Sequence, residues 1–242
     1  MTKTKAATLP VVPLRDMAPQ PGTTLPMFVG REKSKNAVRA AAAAKTPILL
    51  VSQKSIAVEN PRVDDLYGVG VIGELNQVIE HADGTIRIVV TSKARVYLRN
   101  IHADECHISA ECEEIKPEPA SADVAKAAKN AVKSFGTYCK VREDDMLAES
   151  RQLLGRLNEL QTQIQALRAA GESVGNITDP NALADLVPGC IHTQLQPDKL
   201  GDPEVVKVLD TRIRAKQAIL SEPDPAKRLQ LLRKFVEDEA KG

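Results

Sequence analysis

The residues whose types and spacing could do chemistry are a glycine run, a lysine-bearing loop, a cysteine–histidine group and several acid pairs. Gly68-Val-Gly70-Val-Ile-Gly73 matches, letter for letter, the fingerprint that turns a strand into a helix above a dinucleotide pyrophosphate. That chemistry needs a helix N-terminus directly after the glycines. Here Val69 and Val71 alternate into Leu75 and Ile79, the period of a strand, so bulges or a close backbone approach account for the glycines. Gly30-Arg-Glu-Lys33-Ser34 resembles the end of a phosphate loop, but it has no glycine immediately before the lysine and none at the upstream position, so no nest of backbone N–H groups forms.

His102, Cys106, His107 and Cys112 are of metal-ligating types. On an extended segment Cys106 and Cys112 would stand roughly 20 Å apart at about 3.3 Å per residue, whereas two thiolates on one zinc lie about 4 Å apart. His107 would point to the other face, and no metal is expected. Asp64-Asp65, Glu113-Glu114 and Asp144-Asp145 pair carboxylates in sequence. Adjacent residues on a strand face opposite ways, and acids at a helix start complement its dipole, so none of these pairs is a general acid and base. Gly171-Glu-Ser173-Val-Gly175 spells Gly-x-Ser-x-Gly but stands in the part of the chain that reads as helical, not on a strand-to-helix elbow, and no comparable nucleophile setting is read. The expectation is a protein without catalysis and without a cofactor.

Composition narrows the partners. Thirty-three basic residues stand against 32 acidic ones, a net charge of +1, so there is no sequence-independent pull toward phosphate or anionic lipid. Aromatic residues make up only 2%, too few for base-stacking platforms. Nucleic acid is therefore not expected as a partner. No run reaches the roughly 18 apolar residues of a membrane span, and no apolar stretch follows the charged start Met1 to Thr8. The four cysteines, at 106, 112, 139 and 190, are too dispersed for the disulfide framework of a small secreted domain. A cytoplasmic protein that does not engage the membrane is expected.

The elements that must position any site divide near Lys116-Pro-Glu-Pro119, where two prolines cannot continue a central strand. The division expected is a β-rich lobe over 1–117 and a helical lobe over 118–242. In the first, Arg31 to Ala44 ends in five alanines and reads as a helix. Ile48 to Val51, Val69 to Ile79, Thr85 to Thr91, Arg95 to Ile101 and Cys106 to Ile115 read as strands. Asp83-Gly84 supplies the positive φ angles of a tight hairpin. In the Thr85 strand Ile86, Ile88 and Val90 share one face, which leaves Val89 as an apolar residue on a mostly polar one.

Beyond 118, Val124, Ala128, Ala131, Phe135 and Tyr138 recur at helical spacing. Met146, Ser150, Leu153, Leu157, Leu160, Ile164 and Leu167 form a heptad seam, compatible with a long helix packed in its own lobe, an antiparallel hairpin or a self-associating coiled coil. Asp179-Pro180, Asp202-Pro203 and Asp224-Pro225 each place an N-cap acceptor before a proline at the first helical position.

The opening Leu9-Pro-Val-Val-Pro-Leu-Arg-Asp16, then Pro21 and Leu25-Pro-Met-Phe-Val-Gly-Arg-Glu-Lys-Ser34, resembles the start of Lon proteases in residues and spacing. Asp65-Leu-Tyr67 with Val69-Gly70, Asp83-Gly-Thr85, and Asp179-Pro180 leading to Leu183-Ala-Asp185 extend the resemblance over most of 9–187. It implies an α+β fold, an N-terminal mixed β lobe with a small pseudo-barrel-like sheet and one helix, followed by an all-helical lobe. It also implies a substrate-recognition module that captures unfolded or damaged proteins for an ATP-dependent protease, with the ATPase and the Ser–Lys dyad in other domains. Met17-Ala-Pro-Gln20 departs from the family's apolar run, Thr91-Ser-Lys93 stands where Glu-Gly is common, and stretches near 149–175 and 196–211 look like insertions.

Peptide capture of this kind uses exposed apolar spots. Leu14, Met17 and Val89 are the candidate contacts, and self-association through the Met146 to Leu167 seam is the second kind of partner. The rival reading is a free-standing adaptor or scaffold of the same fold.

Overall fold

The computed structural model describes residues 8–118, 122–152, 157–191 and 202–241. In chain order the elements are β1 (Thr8–Leu14), β2 (Thr24–Val29), α1 (Glu32–Ala44), β3 (Ile48–Ser52), β4 (Val69–Glu80), β5 (Ile86–Ala103) and β6 (Ile108–Glu114). The helices α2 (Ala122–Gln152), α3 (Leu157–Gly175), α4 (Pro180–Cys190), α5 (Pro203–Ser221) and α6 (Pro225–Glu239) follow. The α+β class is the one expected.

The strands form one sheet in the order β2-β5-β4-β3-β1-β6, and an additional β5–β6 pairing closes five of them into a small barrel. β1 and β3 are parallel and the other pairs antiparallel. Strand β2 stays outside the closed set, attached to the first part of β5.

β5 is one strand where two were expected. Thr91, Ser92 and Lys93 do not interrupt it, because Ser92 is buried opposite Gly73 while Lys93 turns outward to Glu74 at 2.9 Å. The β4–β5 turn also differs in detail. Only Gly84 has positive φ (79°), and its N–H donates to the His81 carbonyl while Asp83 accepts from the Thr85 N–H and hydroxyl. This is a three-residue loop closed by a left-handed glycine, not a two-residue turn with both central residues at positive φ.

Gly70 shows why glycines stand in β4. A Cβ there would lie 2.6 Å from the Leu50 carbonyl oxygen and 2.9 Å from Val51 Cγ2, so the β3 backbone passes where a side chain would be. No helix follows the run, and the dinucleotide geometry is absent.

Helix α1 buries Ala37, Val38 and Ala41 against Ile48, Leu50, Ile86, Ile88 and Val90, one face of the sheet. Its small side chains let the helix approach closely, and Lys45 ends it in the left-handed conformation at φ 53°. The barrel's own core is Val11, Leu49, Val51, Val96 and Ala110.

The chain forms two compact units, and the strands with α1 make up the first. Helix α5 belongs there too, although division at 117 would have grouped it with the other late helices. Leu209 and Ile213 pack on Ile56, and Leu220 joins Val69, Val71 and Ile115. Asp210 accepts from the Ser55 hydroxyl at 2.7 Å and the Ile56 N–H at 2.9 Å, while Gln217 Nε2 donates to the Val69 carbonyl.

The second unit holds α2, α3, α4 and α6. Val124, Ala131, Phe135 and Tyr138 of the expected stripe are buried. Asp179 and Asp224 accept from the first N–H groups of α4 and α6, as the Asp-Pro pairs foretold, and Asp202 does the same for α5. The heptad seam is shared by α2 and α3, and its Leu153 lies outside the described residues. These helices run antiparallel, with Arg168 paired to Glu143 and Gly171 facing Cys139.

Candidate functional site

The sequence of β2 decides what it shows to solvent. Met27 and Val29 point inward to the core under α1, so Pro26 and Phe28 must point out. Phe28 is 75% exposed, the most exposed of the large apolar side chains described. Leaving a phenylalanine in water forgoes roughly 1.5–3 kcal/mol of burial, so an occupant that covers it recovers that free energy.

Cross-strand register extends this face. Phe28 stands opposite Arg87 of β5, which stands opposite Ile79 of β4; one step along, Pro26 stands opposite Val89 and Val89 opposite Gln77. Directly opposed residues in antiparallel strands share a face. The outward surface of β2, β5 and β4 thus gathers Phe28, Ile79, Val89 and Pro26 around one guanidinium. Ile79 is 37% exposed and Val89 half-buried. The Arg87 guanidinium lies 5.9 Å from the Phe28 ring centre and the His81 ring 6.4 Å away, which orients the phenyl group without covering it.

Beside this face runs a cleft of about 530 Å³ between β2 and the segment that follows β1, lined by Leu14, Met17, Met27, Phe28, Arg15 and Arg31 among others. The segment is pinned: the Gln53 N–H donates to the Leu14 carbonyl at 2.9 Å and the Ser52 hydroxyl to the Met17 carbonyl at 3.0 Å. Arg15 Nε donates to the Ile56 carbonyl and Arg31 Nη2 to Gln53 Oε1. Burial, then the charge of Arg15, lowers the pKa of the Arg31 guanidinium, although it stays protonated. With Asp16 as the acidic member, the lining carries a small positive excess.

The three residues singled out from sequence stand differently. Leu14 is 7% exposed and lies in the core, so it lines the cleft floor and offers no exposed surface. Met17 is half-buried against the same core at the cleft wall. Val89 lies on the outward face. Phe28 was missed, although its signal was present: apolar residues fill every position from Leu25 to Val29, so strand alternation must expose one set. Among the described residues no group of three or more His, Cys, Asp or Glu side chains is placed to hold a metal. No described helix is long and apolar enough to cross a membrane.

The fold and face define a class of protein, a small barrel domain with an appended open strand and an apolar outward face. The family model for the substrate-binding domain of ATP-dependent protease La (Lon) matches residues 8–199, and the chain belongs to that family. It is 28% identical to Lon protease 1 of Myxococcus xanthus over 97% of this chain and 25% of that protein. It is 28% identical to the Lon protease of Escherichia coli K12 over 96% of this chain and 25% of that protein. The chain thus spans about a quarter of the length of these curated relatives. The solved N-terminal domain of Mycobacterium avium complex Lon protease shares the fold, with a TM-score of 0.60 at 19% identity, over 96% of this chain and 99% of that one. The family's substrate-binding domain is non-catalytic, and the protease activity lies in a separate domain.

Proposed function

We propose that this domain captures unfolded or damaged polypeptides for an ATP-dependent Lon-family protease, in the cytoplasm, by covering exposed apolar side chains on the face of Phe28, Ile79 and Val89. The observation that carries this reading is the 75% exposure of Phe28 on a face that continues into a cleft bounded by Met17. A patch built from one aromatic and a few aliphatic side chains selects for apolar content and not for order of residues. Such binding is weak and sequence-tolerant, which suits a module that hands segments to a motor. The near-neutral charge gives nucleic acid and anionic membranes no purchase.

The experiment is a titration of a reduced, carboxymethylated unfolded protein against the 242-residue chain and against the double variant Phe28→Ser, Val89→Thr. Removing the phenyl contact should weaken binding by about tenfold or more, with the thermal unfolding midpoint little changed. Equal affinity in the two proteins rejects this face as the site. Leu14 is unsuited to such a test, because replacing a core side chain changes the fold as well as the surface.

A further inference from the structure

β2 has one paired side and one free side. The Ser92 N–H donates to the Thr23 carbonyl at 2.8 Å and the Ser92 carbonyl accepts from the Gly22 N–H at 2.9 Å, a bulge with Gly22 at φ 77° that sets Thr23 opposite Ser92, its carbonyl toward β5, just before the strand. Counting in twos along the antiparallel register, Leu25, Met27 and Val29 direct their N–H and C=O groups at Val90, Ile88 and Ile86. Thr24, Pro26 and Phe28 therefore direct theirs away from the sheet. The position of Pro26 agrees independently, since a residue without an N–H is tolerated in a strand where that group would face outward. Among the described residues no strand pairs with this side of β2.

The free edge presents the N–H groups of Thr24 and Phe28 and the carbonyls of Thr24, Pro26 and Phe28, spaced as an extended chain requires. All three residues are exposed, and the cleft of about 530 Å³ lies alongside, with Leu14 in its floor and the pinned segment at Met17 as its far wall. Its charged lining residues are Arg15, Arg31 and Asp16, a positive excess that suits neutral or acidic segments and disfavours basic ones.

We infer that a neutral or acidic polypeptide segment in extended conformation adds as a further strand to the free edge of β2, held through its backbone, with alternate side chains reaching the Phe28 face and the cleft. This inference rests on the reading of the domain as a polypeptide-capture module and supplies its recognition chemistry. Backbone pairing is indifferent to side-chain identity, and unfolded chains expose their backbone where folded ones do not. Pro26 removes one donor from the row, which keeps the added strand short of a full ladder and guards the edge against permanent pairing.

The test uses the 242-residue chain and a synthetic ten-residue peptide of alternating valine and threonine with an aspartate at each end. Backbone amide exchange is followed by NMR with and without peptide, beside the affinities of Phe28→Ala, which keeps the outward N–H, and Phe28→Pro, which removes it. The expected result is at least about tenfold slower exchange at the Thr24 and Phe28 amides on binding, and a further loss of about tenfold in affinity from the alanine to the proline variant. A thermal midpoint and amide spectrum for each variant show that its fold is retained. Binding without protection of those two amides overturns strand addition while leaving polypeptide capture standing. Absence of peptide binding overturns both. Protection that rises with protein concentration in the absence of peptide assigns the edge to a second copy of the chain and overturns the inference.

Discussion

Arg228 fills the gap that Pro188 leaves in α4. Proline has no N–H for the carbonyl four residues back, and it is the fully buried Arg228 guanidinium that reaches the Ala184 carbonyl, at 3.4 Å, while pairing with Asp185. Depriving a buried guanidinium of its carboxylate is costly. Asp185→Ala should lower the free energy of unfolding by about 2–4 kcal/mol, reduced from the fully buried case because Asp185 is partly exposed. Arg228→Met should also destabilise, and adding Pro188→Ala to it should restore about 1 kcal/mol by returning a donor to Ala184. Urea unfolding of the single and double variants measures both, and strict additivity would show that Pro188 and Arg228 are uncoupled.

Gly70→Ala should destabilise more than a glycine-to-alanine change in an open strand. The added methyl meets a backbone carbonyl at 2.6 Å, which cannot swing away as a side chain end would. A loss of about 1–3 kcal/mol is expected. Gly68→Ala is the control, since a Cβ there meets nothing within 4 Å. Thermal unfolding midpoints of the two variants should separate clearly.

Asp210→Ala removes both acceptors that hold the loop at Ser55 and Ile56. A cost of about 1–2 kcal/mol is expected. Limited proteolysis should cut near residue 57 sooner than in the parent, because that loop then opens without global unfolding. An unchanged cleavage pattern would mean that the apolar contacts of Leu209 and Ile213 with Ile56, together with the hydrogen bonds from Arg15 to the Ile56 carbonyl and from Gln53 to the Ser55 and Val58 carbonyls, suffice.

Burial, reinforced by Cys190, pushes the Cys139 thiol up to about 11 from an ordinary 9.0. The folded state thus prefers the neutral thiol. Its stabilising contribution is complete below pH 9 and is lost as pH rises from 9.0 toward 11. Iodoacetamide at pH 8 should label exposed Cys106 and spare Cys139, read by mass spectrometry, whereas labelling in urea should reach both.

Much of this was legible in the residues, and the exceptions have physical causes. Each Asp-Pro pair announces a helix start because an acceptor followed by a residue without an N–H fits little else. Gly70 could be placed in a strand by alternation, but the backbone it makes room for is 20 residues away in sequence and leaves no local mark. α5 was legible as a helix and not as a companion of the strands, since an amphipathic pattern shows that a face is buried without naming what buries it. Leu14 and Phe28 exchanged the roles that apolarity alone assigns them. A leucine at the end of a buried strand is core, and a phenylalanine between two inward residues is surface.

The return of α5 to the first unit gives the chain a threaded order: strands, then three helices of the second unit, then α5, then α6. Neither unit is a contiguous piece of sequence. A fragment ending at 117 would retain all six strands yet leave Val69, Val71 and Ile115 without Leu220, and the Val69 carbonyl without Gln217. During synthesis the barrel is long finished in sequence before Ser221 emerges to seal it. The newborn first unit therefore carries, for the interval of about a hundred residues, an apolar seam at Val69, Val71 and Ile115 that Leu220 later covers.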